Sequence, residues 1–292
     1  MLPSRARSDE GLFAGFPEDL LSPESRLYSV WRADQVLMCR RFNGYPNGYV
    51  DGPILDGDVC QTTLNLAGVR MSYSGVSTDR PLYDAAHKAI YIDWQKNSHL
   101  RADVDETVAF TTIFTDVNDA DVPGMTCMMQ FRHETFSGQT IQGYMGNKHA
   151  TLGGGWYLRW NAALSISGNP GLELVTFTAA SDIGASSEMD RVEYEWTRDN
   201  EKHWLSITAL GLTATTVDVK VYLDGRAIIS EVMTRASTTT ISKESMSLGS
   251  EGPANASTRH FDGWIYGYCL AGNVLSQGLH REALRWIGRA RG

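Results

Sequence analysis

The alternation of apolar and polar residues is most regular near the C-terminal end of the chain. In the segment V-K-V-Y-L-D, residues 219–224, every second residue is apolar. Because successive side chains of a strand point to opposite faces of a sheet, this pattern predicts a strand with one buried and one exposed face. Asp224-Gly225 predicts a tight turn, since such a turn needs positive φ and glycine adopts it without steric cost. The segment therefore predicts the first half of a β-hairpin.

Short strand patterns recur from about residue 86 onwards, and Gly, Asn and Asp residues separate them. This spacing is typical of an all-β sandwich. The pattern L-H-R-E-A-L-R-W-I predicts a short C-terminal helix over residues 279–287, whereas S-D-I-G-A-S-S, residues 181–187, is interpreted as a loop. The predicted strands comprise residues 89–94, 107–115, 125–132, 155–162, 172–179, 191–197 and 202–209.

Residues 1–85 lack this regularity. Residues 1–20 mix proline, glycine and charged residues, which indicates an irregular arm, and residues 43–58 consist almost entirely of turn-forming residues. Strand-like pieces follow between residues 61 and 73. We therefore interpret residues 1–85 as a small N-terminal annex and residues 86–292 as the sandwich domain.

The order of the C-terminal motifs carries a family resemblance. The hairpin Y-L-D-G (222–225) is followed by S-L-G-S (247–250), F-D-G-W-I-Y-G-Y-C-L (261–270) and the predicted helix. This order resembles the laminin-G-like branch of the concanavalin A-like lectin and glucanase superfamily. Over about residues 86–292, the resemblance implies an all-β, two-sheet antiparallel jelly-roll sandwich with a short C-terminal helix. It leaves the function open, because lectins, enzymes and structural modules all use this sandwich.

The net charge and the hydropathy of the chain limit the kinds of molecule that it is expected to bind. The formal net charge of −8 disfavours nucleic acid and anionic membrane surfaces as partners, because both require a basic surface. The N-terminal segment has no apolar stretch typical of a secretory signal, and no apolar run approaches the length of a membrane span. The sequence therefore predicts a soluble protein that is made in a cytoplasm.

The cysteines Cys39, Cys60, Cys127 and Cys269 are widely spread and form no C-x-x-C pair, which disfavours a thiolate metal site. Cys127 and Cys269 lie within apolar strand patterns, where a free cysteine behaves as a small hydrophobic residue. Whether Cys39 and Cys60 form a disulfide stays open at this point.

One segment suggests an enzyme. The run E-M-D-R-V-E resembles the E-x-D-x-x-E active-site strand of the family 16 glucanases, which share this sandwich. The resemblance implies that Glu188 is a nucleophile, Glu193 a general acid/base and Asp190 the carboxylate that tunes them, in a retaining mechanism. Two features depart from the family pattern. The family has an apolar residue at the position of Arg191, and its segment between this strand and the next tryptophan-bearing strand is longer than the one found here. The alternative is a solvated acidic strand.

A second candidate site is an acidic segment, T-D-V-N-D-A-D-V-P-G, over residues 115–124. Carboxylate and amide oxygens are the ligands that calcium prefers, and related sandwiches place calcium at loop tips. The alternative is an acidic turn without a metal, and the spacing does not match an EF-hand. The candidate ligands are Asp116, Asn118, Asp119 and Asp121.

Aromatic residues provide a third candidate site. In the strand G-W-Y-L-R-W, Trp156 and Trp160 share one face and Tyr157 and Arg159 share the other. We predict that the tryptophans belong to the core, as large apolar side chains usually do. Tyr157 and Arg159 are then expected to be exposed and, with Tyr144, to bind a ligand, because the apolar face of a sugar stacks well on an aromatic ring.

Three functions are consistent with these observations. The first, which we favour, is a non-enzymatic virion protein of bacteriophage type: a capsid decoration, a fibre or a tail receptor-binding subunit that displays the sandwich to host-surface glycans. Such a protein needs no signal peptide. Residues 1–85 are then expected to contact other virion proteins, and a homo-oligomer such as a trimer is expected from particle symmetry. The others are a stand-alone carbohydrate-binding module and a glycoside hydrolase. No cofactor other than calcium is predicted.

Overall fold

The strands of this protein account for most of what its computed structural model describes. The described residues are 27–32, 71–74, 81–96, 99–102, 124–134, 141–147, 156–162, 171–177, 183–190, 200–213, 215–234, 247–251 and 260–288. Within them lie a single turn of 3-10 helix, Trp94–Lys96, and one α-helix, α1, Gln277–Gly288. The strands are β1 Leu27–Arg32, β2 Met71–Ser74, β3 Leu82–Asp84, β4 Ala89–Ile92, β5 His99–Ala102, β6 Gly124–His133, β7 Ile141–Gly146, β8 Trp156–Asn161, β9 Gly171–Phe177, β10 Ile183–Asp190, β11 His203–Gly211, β12 Thr216–Leu223, β13 Arg226–Thr234, β14 Ser247–Leu248 and β15 Gly263–Ala271.

The strands form two antiparallel sheets. Sheet A has the order β13-β12-β11-β6-β15-β4-β3, with β1 also paired to β15, and sheet B has the order β10-β9-β8-β7-β14-β5-β2. The edge strands β10 and β13 contact each other at one side of the sandwich. This arrangement confirms the predicted all-β, two-sheet antiparallel sandwich with a short C-terminal helix.

The core lies between the two sheets and is rich in aromatic side chains. Trp156 and Tyr144 of sheet B and Phe131 and Tyr268 of sheet A are fully buried there, and Trp160 is 8% exposed. Burial of such large apolar surfaces is the main favourable contribution to folding. The prediction that Trp156 and Trp160 are core residues is confirmed.

Strand β12 follows the predicted alternation. Val219, Val221 and Leu223 are buried in the core, and the hairpin turn lies at Asp224 and Gly225, with φ angles of 50° and 81°. Two successive positive φ angles match the right-handed twist of the strands that they join. The Asp224 carboxylate accepts a hydrogen bond from the Trp204 backbone N–H at 2.8 Å, which holds the turn against β11.

The C-terminal helix packs on the outer face of sheet A. Ser276 caps its first turn, because the Ser276 Oγ accepts a hydrogen bond from the Leu279 backbone N–H at 3.3 Å. Apolar side chains of the helix and of the segment before it pack against β6 and β15 and form a small apolar cluster with them. This cluster comprises Met128, Cys269, Ala271, Leu275, Ala283, Trp286 and Ile287. The predicted helix over residues 279–287 is confirmed.

The predicted division at residue 86 is not supported by the strand pairing. In the region assigned to the annex, β1 pairs with β15, β2 with β5 and β3 with β4. Strands β3 and β2 form one end of sheets A and B, respectively, and β1 adds a further pairing to β15. The described strands of residues 1–85 therefore belong to the sandwich. The docking role of that region stays a prediction.

The loop predicted over residues 181–187 is wrong from residue 183 onwards. Strand β10 pairs with β9 from Ile183 to Asp190. Small residues such as Gly184 and Ser186 have low intrinsic strand propensity, but pairing to a neighbouring strand overrides this preference.

Cys127 and Cys269 are free and buried, as the sequence predicts for small hydrophobic residues. Burial raises the pKa of both thiols well above the ordinary value, which makes them unreactive at neutral pH. Cys39 and Cys60 lie outside the described residues. Among the described helical residues there is no segment with the length and hydropathy needed to cross a bilayer.

Replacement of Gly263 by alanine is expected to destabilise the fold by about 2–3 kcal/mol. Gly263 has a φ of 145°, and a Cβ at this position would lie 2.2 Å from the backbone oxygen of Arg132. The matched control is Gly278→Ala in α1, where a Cβ meets only the Ser276 Oγ at 3.9 Å. Urea denaturation should show a loss for the first variant and none for the second; equal stability of the two would contradict this account.

Candidate functional site

A groove lies beside the helix on the outer face of sheet A. Its volume is about 240 Å³, and its walls are β11, β12, the hairpin turn and the first turns of α1. The polar lining residues are Thr208, Asp218, Lys220, Tyr222, Gln277, His280 and Arg281, and the other lining residues are Leu210, Gly225, Val274 and Leu275.

The alternation of β12 supplies one wall of the groove. Because its apolar residues point into the core, Asp218, Lys220 and Tyr222 point outwards and share one face. The Lys220 Nζ lies 3.5 Å from the Asp218 Oδ2, and the two side chains are 42% and 29% exposed. This ion pair is therefore accessible to solvent and to a ligand.

The helix supplies the opposite wall. The His280 Nε2 lies 2.8 Å from the Ser206 Oγ, and the His280 ring lies 5.2 Å from the Tyr222 ring. Burial lowers the pKa of His280, and the neighbouring Arg281 charge lowers it further. The imidazole is therefore neutral at pH 7, and it supports the Tyr222 ring without adding charge to the groove.

The groove has an apolar border. Leu210 lines it and is 37% exposed, and Val232 on β13 is 60% exposed. The register pairs Asp218 with both Leu210 and Val232, so these three residues form one row across the sheet. Leu210 therefore belongs to the groove lining, whereas Val232 lies one strand further out and does not line the groove.

The polar groups of the groove lining include one carboxyl group. The described lining offers a hydroxyl group, a phenol ring, an imidazole, an amide, two cations and the single carboxyl group of Asp218. Retaining and inverting glycosidases both require two carboxyl groups on opposite sides of the scissile bond. The donor set is therefore suited to hydrogen bonding and stacking.

The structure corrects the exposure predicted for Tyr157 and Arg159. Tyr157 is 2% exposed and Arg159 is 6% exposed, and Tyr144 is fully buried in the core. Alternation along β8 correctly separates the two faces, but it does not show that the second face is also covered. The predicted ligand-binding role of the three residues, which requires access to the ligand, stays a prediction.

Arg159 instead lies in a buried ion-pair network. Its Nη1 lies 2.6 Å from the Glu251 Oε1, and its Nε and Nη2 lie 3.2 and 3.3 Å from the two carboxylate oxygens of Glu173. Asn161 also donates to Glu173, at 2.9 Å. Burial alone lowers the pKa of Arg159, but the Glu251 and Glu173 carboxylates and Tyr157 raise it above its ordinary value. The network links β8 and β9 to the segment after β14.

The proposed glycosidase residues are described only in part. Glu188 and Asp190 lie on β10, the edge strand of sheet B, and Glu193 lies outside the described residues. The register pairs Glu188 with Glu173 and Asp190 with Gly171. The catalytic assignment stays a prediction.

The predicted calcium ligands, Asp116, Asn118, Asp119 and Asp121, also lie outside the described residues. Among the residues that are described, no three His, Cys, Asp or Glu side chains are grouped so that they could hold a metal ion. The calcium site stays a prediction.

A tryptophan near the other edge of sheet A does not offer a free stacking surface. Trp264 is 8% exposed, and its indole N–H donates to the Asp84 carboxylate at 2.7 Å. The His87 ring stacks on it at 4.2 Å, and the Arg132 guanidinium lies 5.2 Å from its ring centre. The side chains of His87 and Arg132 therefore cover the Trp264 ring.

Sequence reasoning missed the groove, although part of the signal was present. Alternation places Lys220 and Tyr222 on the exposed face of a strand. Arg281, Arg285, Arg289 and Arg291 form a basic C-terminal segment, for which a solvated helix face is the ordinary interpretation. Only the packing of α1 on sheet A brings Arg281 opposite the β12 residues.

Comparison with solved structures identifies similar sandwiches. The binding domain of botulinum neurotoxin serotype D/C aligns over 80% of this chain and 52% of its own, with 10% identity and a TM-score of 0.52. A structure of botulinum neurotoxin type C, whose cell entry depends on interaction with two ganglioside molecules, aligns over 80% and 51%, with 11% identity and a TM-score of 0.51. Domain 4 of a GH43 extracellular arabinanase from Geobacillus stearothermophilus, in complex with arabinotriose, aligns over 88% and 98%, with 13% identity and a TM-score of 0.43.

The neurotoxin structures show the fold alone, because their identity to this chain is low. The chain spans about half the length of each neurotoxin chain. No protein-family model matches the sequence, and a search of the curated proteins finds no match.

Proposed function

We propose that the chain is a non-enzymatic, lectin-like module that binds a saccharide in the groove between β12 and α1. The observation that carries this proposal is the position of Tyr222, a partly exposed ring at the side of a groove whose lining also includes the polar side chains of Asp218, Lys220, Gln277 and Arg281. Saccharide sites combine an aromatic ring, which stacks on the apolar face of the sugar, with polar groups that bind its hydroxyls.

The polar lining is matched to hydroxyl groups. Gln277 offers an amide that both donates and accepts, Asp218 accepts, and Lys220 and Arg281 donate. These groups lie on two walls, so a sugar ring stacked on Tyr222 can be contacted from both sides. The ganglioside dependence of botulinum neurotoxin type C supports the proposal, because that protein uses a similar sandwich.

We propose further that the module acts as part of a virion and displays the groove to host-surface glycans. The irregular composition of residues 1–20 supports this setting, because such an arm is suited to docking on a larger assembly. The neighbouring genes test it: genes for capsid and tail proteins are expected beside this one, and a metabolic operon would contradict the virion setting.

Replacement of Tyr222 by alanine is expected to lower the affinity for the bound saccharide about tenfold or more, because the stacking surface is lost. A glycan microarray identifies the saccharide, and calorimetric titration measures its dissociation constant. Tyr222→Phe, which keeps the ring, should change affinity by less than about threefold.

Val232→Ala is the control for the surface beside the groove, since Val232 is exposed but does not line it. It should bind like the unchanged protein. Full binding by a folded Tyr222→Ala variant would show that the saccharide does not bind in this groove.

A further inference from the structure

The charge of the groove differs from the charge of the chain. The whole chain carries a formal net charge of −8. Among the described groove-lining residues, Lys220 and Arg281 are cations and Asp218 is the single anion. The described lining residues therefore carry one positive charge in excess, on a chain whose net charge is negative.

The two cations have different surroundings. Lys220 lies 3.5 Å from the Asp218 carboxylate on the same strand, so its charge is partly balanced. Arg281 projects from α1 on the opposite wall, and burial together with the Arg281 charge lowers the pKa of the adjacent His280. The Lys220 and Arg281 side chains line the same groove, from opposite walls.

The start of the helix adds to this positive potential. Helix α1 begins at Gln277, which lines the groove, and its first turn contains no acidic residue. The N-terminal end of a helix carries a partial positive charge, which favours an anion nearby. An arginine side chain, a lysine side chain and a helix N-terminus thus surround the same volume.

We propose that the groove selects a saccharide that carries an anionic group, a carboxylate or a sulfate, and that Arg281 and Lys220 determine this selectivity. The inference rests on the proposed saccharide binding. Arg281 is the principal contact, because a planar guanidinium donates two parallel hydrogen bonds to the two oxygens of one anionic group. Tyr222 stacks on the sugar ring irrespective of its charge, and Lys220 adds a second, partly balanced cation.

The test compares three matched sugars: 3′-sialyllactose, 3′-sulfated lactose and lactose. The unchanged protein is expected to bind one or both anionic sugars at least about tenfold more tightly than lactose. Arg281→Gln keeps an N–H donor for sugar hydroxyls but removes the charge, so it should lower the affinity for the anionic sugar about tenfold more than it lowers the affinity for lactose. Lys220→Gln should also weaken binding of the anionic sugar more than binding of lactose, but by a smaller factor than Arg281→Gln.

Arg285→Gln is the matched control, because it removes the same charge from the same helix one turn further on. It should change no affinity by more than about twofold. An equal loss in Arg285→Gln and Arg281→Gln would indicate unspecific charge attraction and would overturn the inference.

The outcomes separate this inference from the proposed function. Equal affinity of the unchanged protein for anionic sugars and lactose, with loss of both in Tyr222→Ala, would overturn the anionic selectivity and leave saccharide binding intact. Absence of binding to every glycan on an array would overturn both. The relative affinities of 3′-sialyllactose and 3′-sulfated lactose distinguish a carboxylate from a sulfate.

Discussion

Replacement of Arg159 by methionine is expected to lower the free energy of unfolding by about 3–5 kcal/mol at pH 7. The guanidinium contacts Glu173 and Glu251, and both carboxylates are fully buried. Methionine fills a similar volume but removes the cation, so that two buried negative charges lose the same partner. Removal of one member of a buried ionic network costs far more than removal of an exposed ion pair.

Urea denaturation at pH 7 measures this effect, and a triple variant provides the control. Arg159→Met combined with Glu173→Gln and Glu251→Gln also neutralises the carboxylates. It should recover most of the lost stability, because a buried network replaced as a whole is often close to neutral. A loss below about 1 kcal/mol in the single variant would show that the network behaves like an exposed ion pair.

Replacement of Asp262 by asparagine is expected to stabilise the protein by about 4 kcal/mol at pH 8. Burial of this carboxyl group, together with the nearby Glu134 and Asp93 carboxylates, raises the pKa of Asp262 from 3.8 to about 7. The folded state therefore disfavours its ionised form. The Tyr91 hydroxyl is hydrogen-bonded to Glu134, which keeps that carboxylate in the same cluster.

The direction of the pKa shift of Asp262 determines how the stabilisation by Asp262→Asn depends on pH. A raised folded-state pKa contributes stability that is fully present below pH 3.8 and is lost as the pH rises to about 7. The advantage of Asp262→Asn should therefore vanish near pH 3.5 and reach its full value by pH 8. His260 acts in the opposite direction, because burial lowers its pKa to about 4, but it contributes equally to both proteins and cancels in the difference.

Urea denaturation of both proteins at several pH values between 3.5 and 8 measures this difference. The exposed Glu231→Gln variant on β13 is the control and should differ from the unchanged protein by less than about 0.5 kcal/mol at every pH. A constant difference between Asp262→Asn and the unchanged protein across this range would contradict the raised pKa.

Local patterns predict the parts of this fold that depend on neighbouring residues. The alternation in β12 identifies Val219 and Val221 as buried, because a strand between a core and solvent allows one choice of faces. The turn at Asp224-Gly225 follows from backbone sterics alone, and the observed φ angles confirm it. The C-terminal helix is predicted for a similar reason, since its apolar side repeats with helical period.

Contacts between distant segments could not be predicted in this way. The burial of Arg159 depends on Glu251, 92 positions further along the chain. The pairing of β1 with β15 likewise joins opposite ends of the chain, which composition cannot reveal. The candidate groove depends on local patterns and on distant contacts. The outward direction of Tyr222 follows from the alternation along β12, whereas its position opposite Arg281 depends on where α1 packs.

A crystal structure with the bound saccharide tests the central claim most directly. The sugar should come from the microarray, and soaking or co-crystallisation should be carried out at a concentration near its dissociation constant. The account predicts that the sugar ring stacks on Tyr222 in the groove, with Arg281 and Lys220 within hydrogen-bond distance of it. A sugar bound elsewhere, for example beside Trp264 and Arg132, with the groove unchanged, would contradict the account.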